Sequence, residues 1–165
     1  MADITLKGNP FHTCGDLPAV GAEAPDCELI KGDLSAEKLS AIAGTRVLNI
    51  FPSIDTPVCA TSVRTFNERA AAVDGVTVVN VSMDLPFAQG RFCAAEGIEG
   101  VENRSAFRSE FADAYGVRIT DGPLAGLCAR AIVVLDGAGK VVHRELVPEI
   151  AQEPDYDAAL TAARG

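Results

Sequence analysis

Two apolar runs with one helical pattern between them constrain this chain more than any other feature. Val47-Leu48-Asn49-Ile50-Phe51 and Val76-Thr77-Val78-Val79-Asn80-Val81 are nearly uninterrupted, as strands buried on both faces are. Pro52 stops the first, because proline cannot donate to a sheet ladder. Thr56 is a favoured N-cap and Pro57 suits a first helical position. Val63, Phe66, Ala70 and Val73 then recur at helical spacing as far as Asp74-Gly75, which predicts a helix over 57–73. Strand, helix, strand implies a parallel βαβ unit, with the helix N-terminus at the carboxyl end of the sheet, where α/β proteins place their sites.

That register puts Cys59 in the first helical turn, where the amides have no intrahelical acceptor and the dipole is positive. The end of a helix cannot ionise a thiol alone. Bringing a thiol pKa from about 8.5 to about 6 takes roughly 3.4 kcal/mol, and a helix terminus supplies about 0.3–1. A cation is needed. Arg130 is the oddity elsewhere in the chain: it leads the otherwise apolar run Ala131 to Leu135, where an unpaired charge would cost several kcal/mol, so it calls for an anion.

Composition narrows the classes. The 165 residues, 48% hydrophobic, suit one domain over 1–165 with a sizeable core, and no linker is evident. A net charge of −9 without a basic stripe argues against a nucleic-acid partner. No signal-like start and no run of about 20 apolar residues is present, so a cytoplasmic protein without membrane attachment is expected. Five cysteines, without an export signal, fit a reducing compartment in which a disulfide is catalytic rather than structural. Cys-x-x-Cys is missing. His12-x-Cys14 with Cys27 matches no common zinc spacing, so neither a metal nor a cofactor is expected.

Along the rest of the chain, Ile4–Leu6 and Phe11–Cys14 flank Lys7-Gly8-Asn9-Pro10 as an N-terminal hairpin. Cys27–Ile30 reads as a short strand, and Asp33 or Ser35 as the cap of a short helix through Ala43. Asp84 caps a helix opened by Pro86 and stopped by Gly97, which carries Cys93. Phe107–Tyr115 reads as a third helix, Leu127–Leu135 with Val141–Glu145 as a strand hairpin, and the segment after Asp155 as a final helix. Cys14, Cys27 and Cys128 read as packing residues, and His12 and His143 have no evident partner.

The spacing Pro-x-x-x-Thr-x-x-Cys, met by Pro52, Thr56 and Cys59, resembles the peroxidatic motif of the peroxiredoxins. Asn49 to Thr56 with Val58-Cys59-Ala60, and Leu85-Pro86-Phe87-Ala88-Gln89 with Arg91-Phe92-Cys93, resemble the thiol peroxidases, atypical two-cysteine peroxiredoxins. The likeness runs from Gly8-Asn9-Pro10 to Glu153-Pro154-Asp155-Tyr156. It implies a thioredoxin-like α/β fold, with a central mixed sheet flanked by helices. It also implies a hydroperoxide substrate, Cys59 as the attacking sulfur, Thr56, Arg130 and Pro52 around it, and Cys93 as the resolving cysteine. An intramolecular disulfide, thioredoxin as reductant, a homodimer and a role in antioxidant defence follow from the same likeness. Two other readings share these residues: a redox sensor that cycles once per signal, and a thioredoxin-like scaffold without chemistry.

Overall fold

The structure is a computed structural model that describes residues 1–70 and 73–165. β1 (Asp3–Leu6) and β2 (Asn9–His12) form the expected hairpin. Its two-residue turn needs positive φ at both positions, and Lys7 (51°) with Gly8 (81°) supplies it.

Where a capped helix was expected near residue 35, the chain forms another hairpin, β3 (Glu28–Ile30) with β4 (Ala36–Lys38), followed by a single 3₁₀ turn at Leu39–Ala41. Asp33 does bind Ser35, accepting from its amide at 3.0 Å and its hydroxyl at 2.6 Å. With Leu34 at φ 70° this closes a tight turn instead of opening a helix.

The βαβ unit is formed as the apolar runs dictate. β5 (Thr45–Ile50) and β6 (Val76–Ser82) pair in parallel, joined through α1 (Pro57–Ala70). The expected helix ran to Val73; residues 71 and 72 lie outside the described residues, and Val73 itself is in a bend. α2 (Pro86–Glu96) begins at its proline and ends on Gly97, whose φ of 66° is the left-handed cap that glycine tolerates. Asp84 does not cap it: the N-cap is Leu85, and the Asp84 carboxylate is engaged elsewhere.

β7 (Glu102–Ser105), which the sequence reading missed, adds in parallel to β6 and joins β3 to the sheet. The expected helix over 107–115 shrinks to α3 (Phe111–Ala114), since Arg108 at φ 50° breaks it. β8 (Ala131–Leu135) and β9 (Val141–Leu146) form the anticipated hairpin, and α4 (Tyr156–Arg164) is capped by Asp155, which accepts from the Ala158 amide at 3.0 Å.

Among the described residues the sheet has seven strands, ordered β4-β3-β7-β6-β5-β8-β9, with parallel pairs at its centre and antiparallel ones outside. Alternation along β5, β6 and β8 sends Val47, Val78, Ile132 and Val134 towards α1 and α4, where the Phe66 and Tyr156 rings meet edge to face at 5.0 Å. Leu48, Ile50, Val79, Val81 and Val133 face the other layer, which contains Phe111 and Tyr115. No helix among the described residues is long and apolar enough to cross a membrane.

The N-terminal hairpin is tied down by a pair the sequence reading left unpartnered. His12 Nδ1 lies 2.7 Å from Asp121 Oδ2, its backbone N–H donates to the other carboxylate oxygen at 2.8 Å, and Asp3 sits 3.4 Å from Nε2. The hydrogen bond to Asp121, with its charge, raises the His12 pKa above the ordinary 6.5. A raised histidine contributes stability that is fully present below 6.5 and fades as pH climbs through the raised value. Thermal melts on both sides of that range should show a small alkaline decline in the parent protein and a flatter profile in His12→Asn. A parent profile as flat as the variant's would contradict the linkage.

Candidate active site

Cys59 is fully buried in the first turn of α1, within a small apolar cluster of Phe51, Ile54, Val63 and Ile98. Among the described residues the donor that reaches its sulfur is Arg130, with Nη2 at 3.2 Å. Arg130 is 1% exposed and is the last residue before β8. Its Nε donates to the Ile150 carbonyl at 2.8 Å, and its own carbonyl accepts from the Val147 amide at 3.0 Å. Nη1 is buried without a partner, and no carboxylate among the described residues lies within ion-pair distance of the guanidinium.

The Ile150 carbonyl is in turn placed by the N-terminal hairpin. The Ile150 amide donates to the Thr5 carbonyl at 2.8 Å, and Thr5 N donates to the Pro148 carbonyl at 2.7 Å. Glu149 Oε1 accepts from Thr5 Oγ1 at 3.2 Å and from Gly8 N at 3.0 Å. The hairpin thus sets the carbonyl that orients the arginine.

Thr56 takes the N-cap place through its backbone, whose carbonyl accepts from Ala60 N at 3.0 Å. Its hydroxyl turns back to donate to the Ser53 carbonyl at 2.9 Å, and the side chain is exposed. Pro52 is buried beside Phe51. An open hollow lined by Pro57, Val58, Thr61, Ala151, Gln152 and Glu153 borders the first turn of α1.

Cys93, half-buried on α2, packs with Phe92 and Val101 against the same apolar cluster that holds Cys59; both thiols are free. Asn103 Nδ2 lies 3.0 Å from its sulfur. Burial pushes the Cys93 thiol up and the Asn103 hydrogen bond draws it partly back. Arg91, the cation nearest to Cys93 in sequence, is spent on Asp55 at 3.0 Å. The other cysteines lie apart: Cys27 and Cys128 belong to the main core, where burial pushes them to about 11 and about 12. Cys14 donates weakly to the Ala112 carbonyl at 3.7 Å.

The Redoxin family model matches residues 19–160. The thiol peroxidase of Mycobacterium bovis is 63% identical over 163 residues, covering 98% of each chain. The chain belongs to the redoxin family, among its thiol peroxidase enzymes. A crystal structure of a peroxiredoxin-like protein from Aquifex aeolicus superposes with a TM-score of 0.92 at 42% identity, covering 98% of this chain and 96% of that one. The thiol peroxidase from Chromobacterium violaceum shares the fold, with a TM-score of 0.89 at 21% identity over 96% and 93% of the two chains. The thioredoxin-like α/β architecture expected from the sequence is therefore that of this family.

The redoxin chain uses one residue here that sequence reasoning had assigned elsewhere. Asp84 accepts from Ile54 N at 2.7 Å, Ser53 Oγ at 2.8 Å and Ser82 Oγ at 2.6 Å, pinning the Pro52–Thr56 loop to the end of β6. Its position after a strand and before Leu85-Pro86 reads as a cap; nothing local in the sequence reports a loop 30 residues upstream. Removing the carboxylate leaves the Ile54 amide unpaired, so Asp84→Ala should lose about 2–3 kcal/mol of unfolding free energy. It should also slow the oxidation of Cys59 by one equivalent of hydrogen peroxide, measured by rapid quench and thiol labelling. An oxidation rate equal to the parent's would show that the loop holds its shape without Asp84.

Proposed function

We propose that this enzyme reduces hydroperoxides through Cys59, with the buried Arg130–Cys59 contact at 3.2 Å as the observation that carries the reading. A guanidinium withdrawn from water, with no carboxylate in ion-pair reach among the described residues, is costly, and the Cys59 sulfur it donates to can carry the balancing charge as a thiolate. Each charge makes the other tolerable, and the helix terminus adds a smaller share. The thiolate attacks the terminal oxygen of the hydroperoxide; the S–O bond forms, the O–O bond breaks, and the departing oxygen leaves as water or alcohol after taking a proton. Cys59 is left as a sulfenic acid.

A thiolate of low basicity is intrinsically less nucleophilic, so the pocket must act on the peroxide as well. Arg130 Nη1, buried and unpartnered, and the Cys59 amide at the helix start are the donors for oxygen charge developing in the transition state. Thr56 serves as an acceptor. Its proton is committed to the Ser53 carbonyl, so its lone pairs are left for the O–H of the incoming peroxide. Pro52, buried, walls the sulfur from water.

In the second half of the cycle Cys93 attacks the sulfenic sulfur to give an intramolecular disulfide, and thioredoxin returns both thiols. Disulfide formation needs Cα atoms within about 7 Å, so the first turn of α1 and the end of α2 must loosen first. Cys93 bordering the Cys59 cluster and the weak hold on α2, which buries only Pro86 and Gln89 among its residues, support this. A homodimer, a single domain over 1–165, and a cytoplasmic role in peroxide defence are proposed from family membership and composition.

Coupled turnover with thioredoxin, thioredoxin reductase and hydrogen peroxide tests the scheme. Cys59→Ser should be inactive. Cys93→Ser should consume one equivalent and stall, and Arg130→Met should lose about 100-fold or more in the oxidation step, as losing a transition-state donor does. Multiple turnovers by Cys59→Ser would end the proposal. A single slow cycle in the parent would favour the sensor reading.

A further inference from the structure

Three adjacent strands place an asparagine at one register: Asn49 on β5 is opposite Asn80 on β6, and Asn80 is opposite Asn103 on β7. Asn49 and Asn80 are fully buried, on the sheet face that Val47 and Val78 share beneath α1. Their amides form a chain. Asn49 Nδ2 donates to Asn80 Oδ1 at 3.0 Å, Asn80 Nδ2 to Asn103 Oδ1 at 3.1 Å, and Asn103 Nδ2 to Cys93 Sγ at 3.0 Å. At the other end Ser62, also buried, donates its hydroxyl to the Cys59 carbonyl at 2.8 Å and accepts from Asn49 Nδ2 at 3.3 Å.

The direction of this chain is not free. Ser62 has one proton and gives it to the Cys59 carbonyl, so it offers Asn49 only lone pairs, and Asn49 must turn its NH₂ inward. Asn80 and then Asn103 must each receive on oxygen and donate onward, so the chain ends on Cys93 with an N–H. One cost of this polarity is visible: Asn49 Oδ1 is buried with no partner among the described residues. A ladder serving only the core could end on an ordinary acceptor. A neutral thiol is a poor one, whereas a thiolate makes a charge-assisted bond with the same amide.

We propose that Asn103 is a catalytic residue of disulfide formation, the donor that favours the Cys93 thiolate against the cost of its burial and so readies it to attack oxidised Cys59, with Ser62, Asn49 and Asn80 as positioning residues that fix its orientation. The inference rests on the reading above that Cys93 resolves the Cys59 sulfenic acid. In that step an electron pair of the Cys93 thiolate forms the S–S bond, the S–O bond of Cys59 breaks, and hydroxide leaves with that bond's pair. The hydroxide then recovers the proton that Cys93 gave up, as water. Cys93 is oxidised and Cys59 reduced. The cations flanking Cys93 among the described residues are engaged elsewhere, Arg91 by Asp55 and Arg64 by Glu96.

The test uses the full chain with Asn103→Leu and Asn103→Asp. The pH midpoint for alkylation of Cys93, read by peptide mass on a Cys59→Ser background, should rise by about one unit in Asn103→Leu, the shift that one hydrogen bond to a charged acceptor supports. It should rise further in Asn103→Asp, where a carboxylate faces the sulfur. In chains that retain Cys59, quench-flow after one equivalent of hydrogen peroxide should show disulfide formation falling roughly threefold relative to Cys59 oxidation at neutral pH in Asn103→Leu. The smaller factor arises because a more basic thiolate regains about half of what its lower population loses. An unmoved midpoint in Asn103→Leu would overturn the proposal, since repacking alone does not set the ionisation of Cys93. Should neither variant fold, the Cys59→Ser chain decides alone: Cys93 should titrate below buried Cys27 and Cys128, and a midpoint as high as theirs overturns the assignment. A parent chain that never forms the Cys59–Cys93 disulfide would instead overturn the resolving role, while the alkylation midpoint still reports on Asn103.

Discussion

The buried pair of Arg130 and Cys59 is the constraint to which the rest of the molecule answers. Neither partner is reasonable alone. A guanidinium at 1% exposure without a carboxylate is the kind of burial that costs several kcal/mol, and a helix terminus returns at most about 1 to the thiol. Together, 3.2 Å apart, each supplies the partner that the other lacks. The arginine must therefore be aimed from behind, and this explains the N-terminal hairpin. Its backbone bonds to Pro148 and Ile150 fix the carbonyl that accepts from Arg130 Nε, so a peripheral two-stranded sheet becomes part of the site.

The two cysteine helices are held to the fold with unequal strength, and the chemistry needs that inequality. α1 buries Cys59, Ala60, Ser62, Val63, Phe66 and Ala70, whereas α2 buries only Pro86 and Gln89. The link between the helices is a half-exposed Arg64–Glu96 pair, with Arg64 over the Phe92 ring, and exposed ion pairs contribute about 0–1 kcal/mol. α2 thus belongs to the low end of local stability, where segments open without unfolding the whole. Asp84 works in the opposite sense, fixing the loop before α1 with two hydrogen bonds while Ser82 of β6 donates a third to the same carboxylate. Under the proposed roles, the attacking sulfur sits in the more firmly held helix and the resolving sulfur in the one that can leave.

The parts of this arrangement that were legible in the sequence are those written in apolar periodicity or in local turn chemistry. β5, α1 and β6, the β8–β9 hairpin and the Asp155 cap follow from the residues alone, and so do the need for a cation at Cys59 and for an anion at Arg130; that the two needs meet came from the family resemblance. β7 was missed because Glu102-Asn103-Arg104-Ser105 is polar throughout, although it lies inside the sheet. Its polarity is satisfied from outside the strand: Arg104 reaches Glu37 at 2.7 Å, and Asn103 receives from Asn80 at 3.1 Å. No local pattern carries partners 67 or 23 residues away. The same limit hid Asp84's grip on Ile54 and His12's on Asp121. The Asp33 error was different in kind, since aspartate before serine opens a tight turn or a helix equally well and only Leu34's left-handed backbone decides.

Five cysteines in one chain raise the question of why an oxidising equivalent should stay with two of them, and burial answers it in the opposite way for different members. Cys27 and Cys128 are as hidden as Cys59, yet they sit among apolar side chains with no donor to either sulfur among the described residues, and desolvation pushes them to about 11 and about 12. They contribute volume to the core, and burial disfavours their thiolates. Cys59 is equally inaccessible but faces a cation, and Cys93 is less buried and faces an amide. Reactivity here is set not by exposure but by which groups the backbone has brought to each sulfur. In the proposed scheme the sheet register that stacks three asparagines between Cys59 and Cys93 is then as much part of the chemistry as the sulfurs themselves.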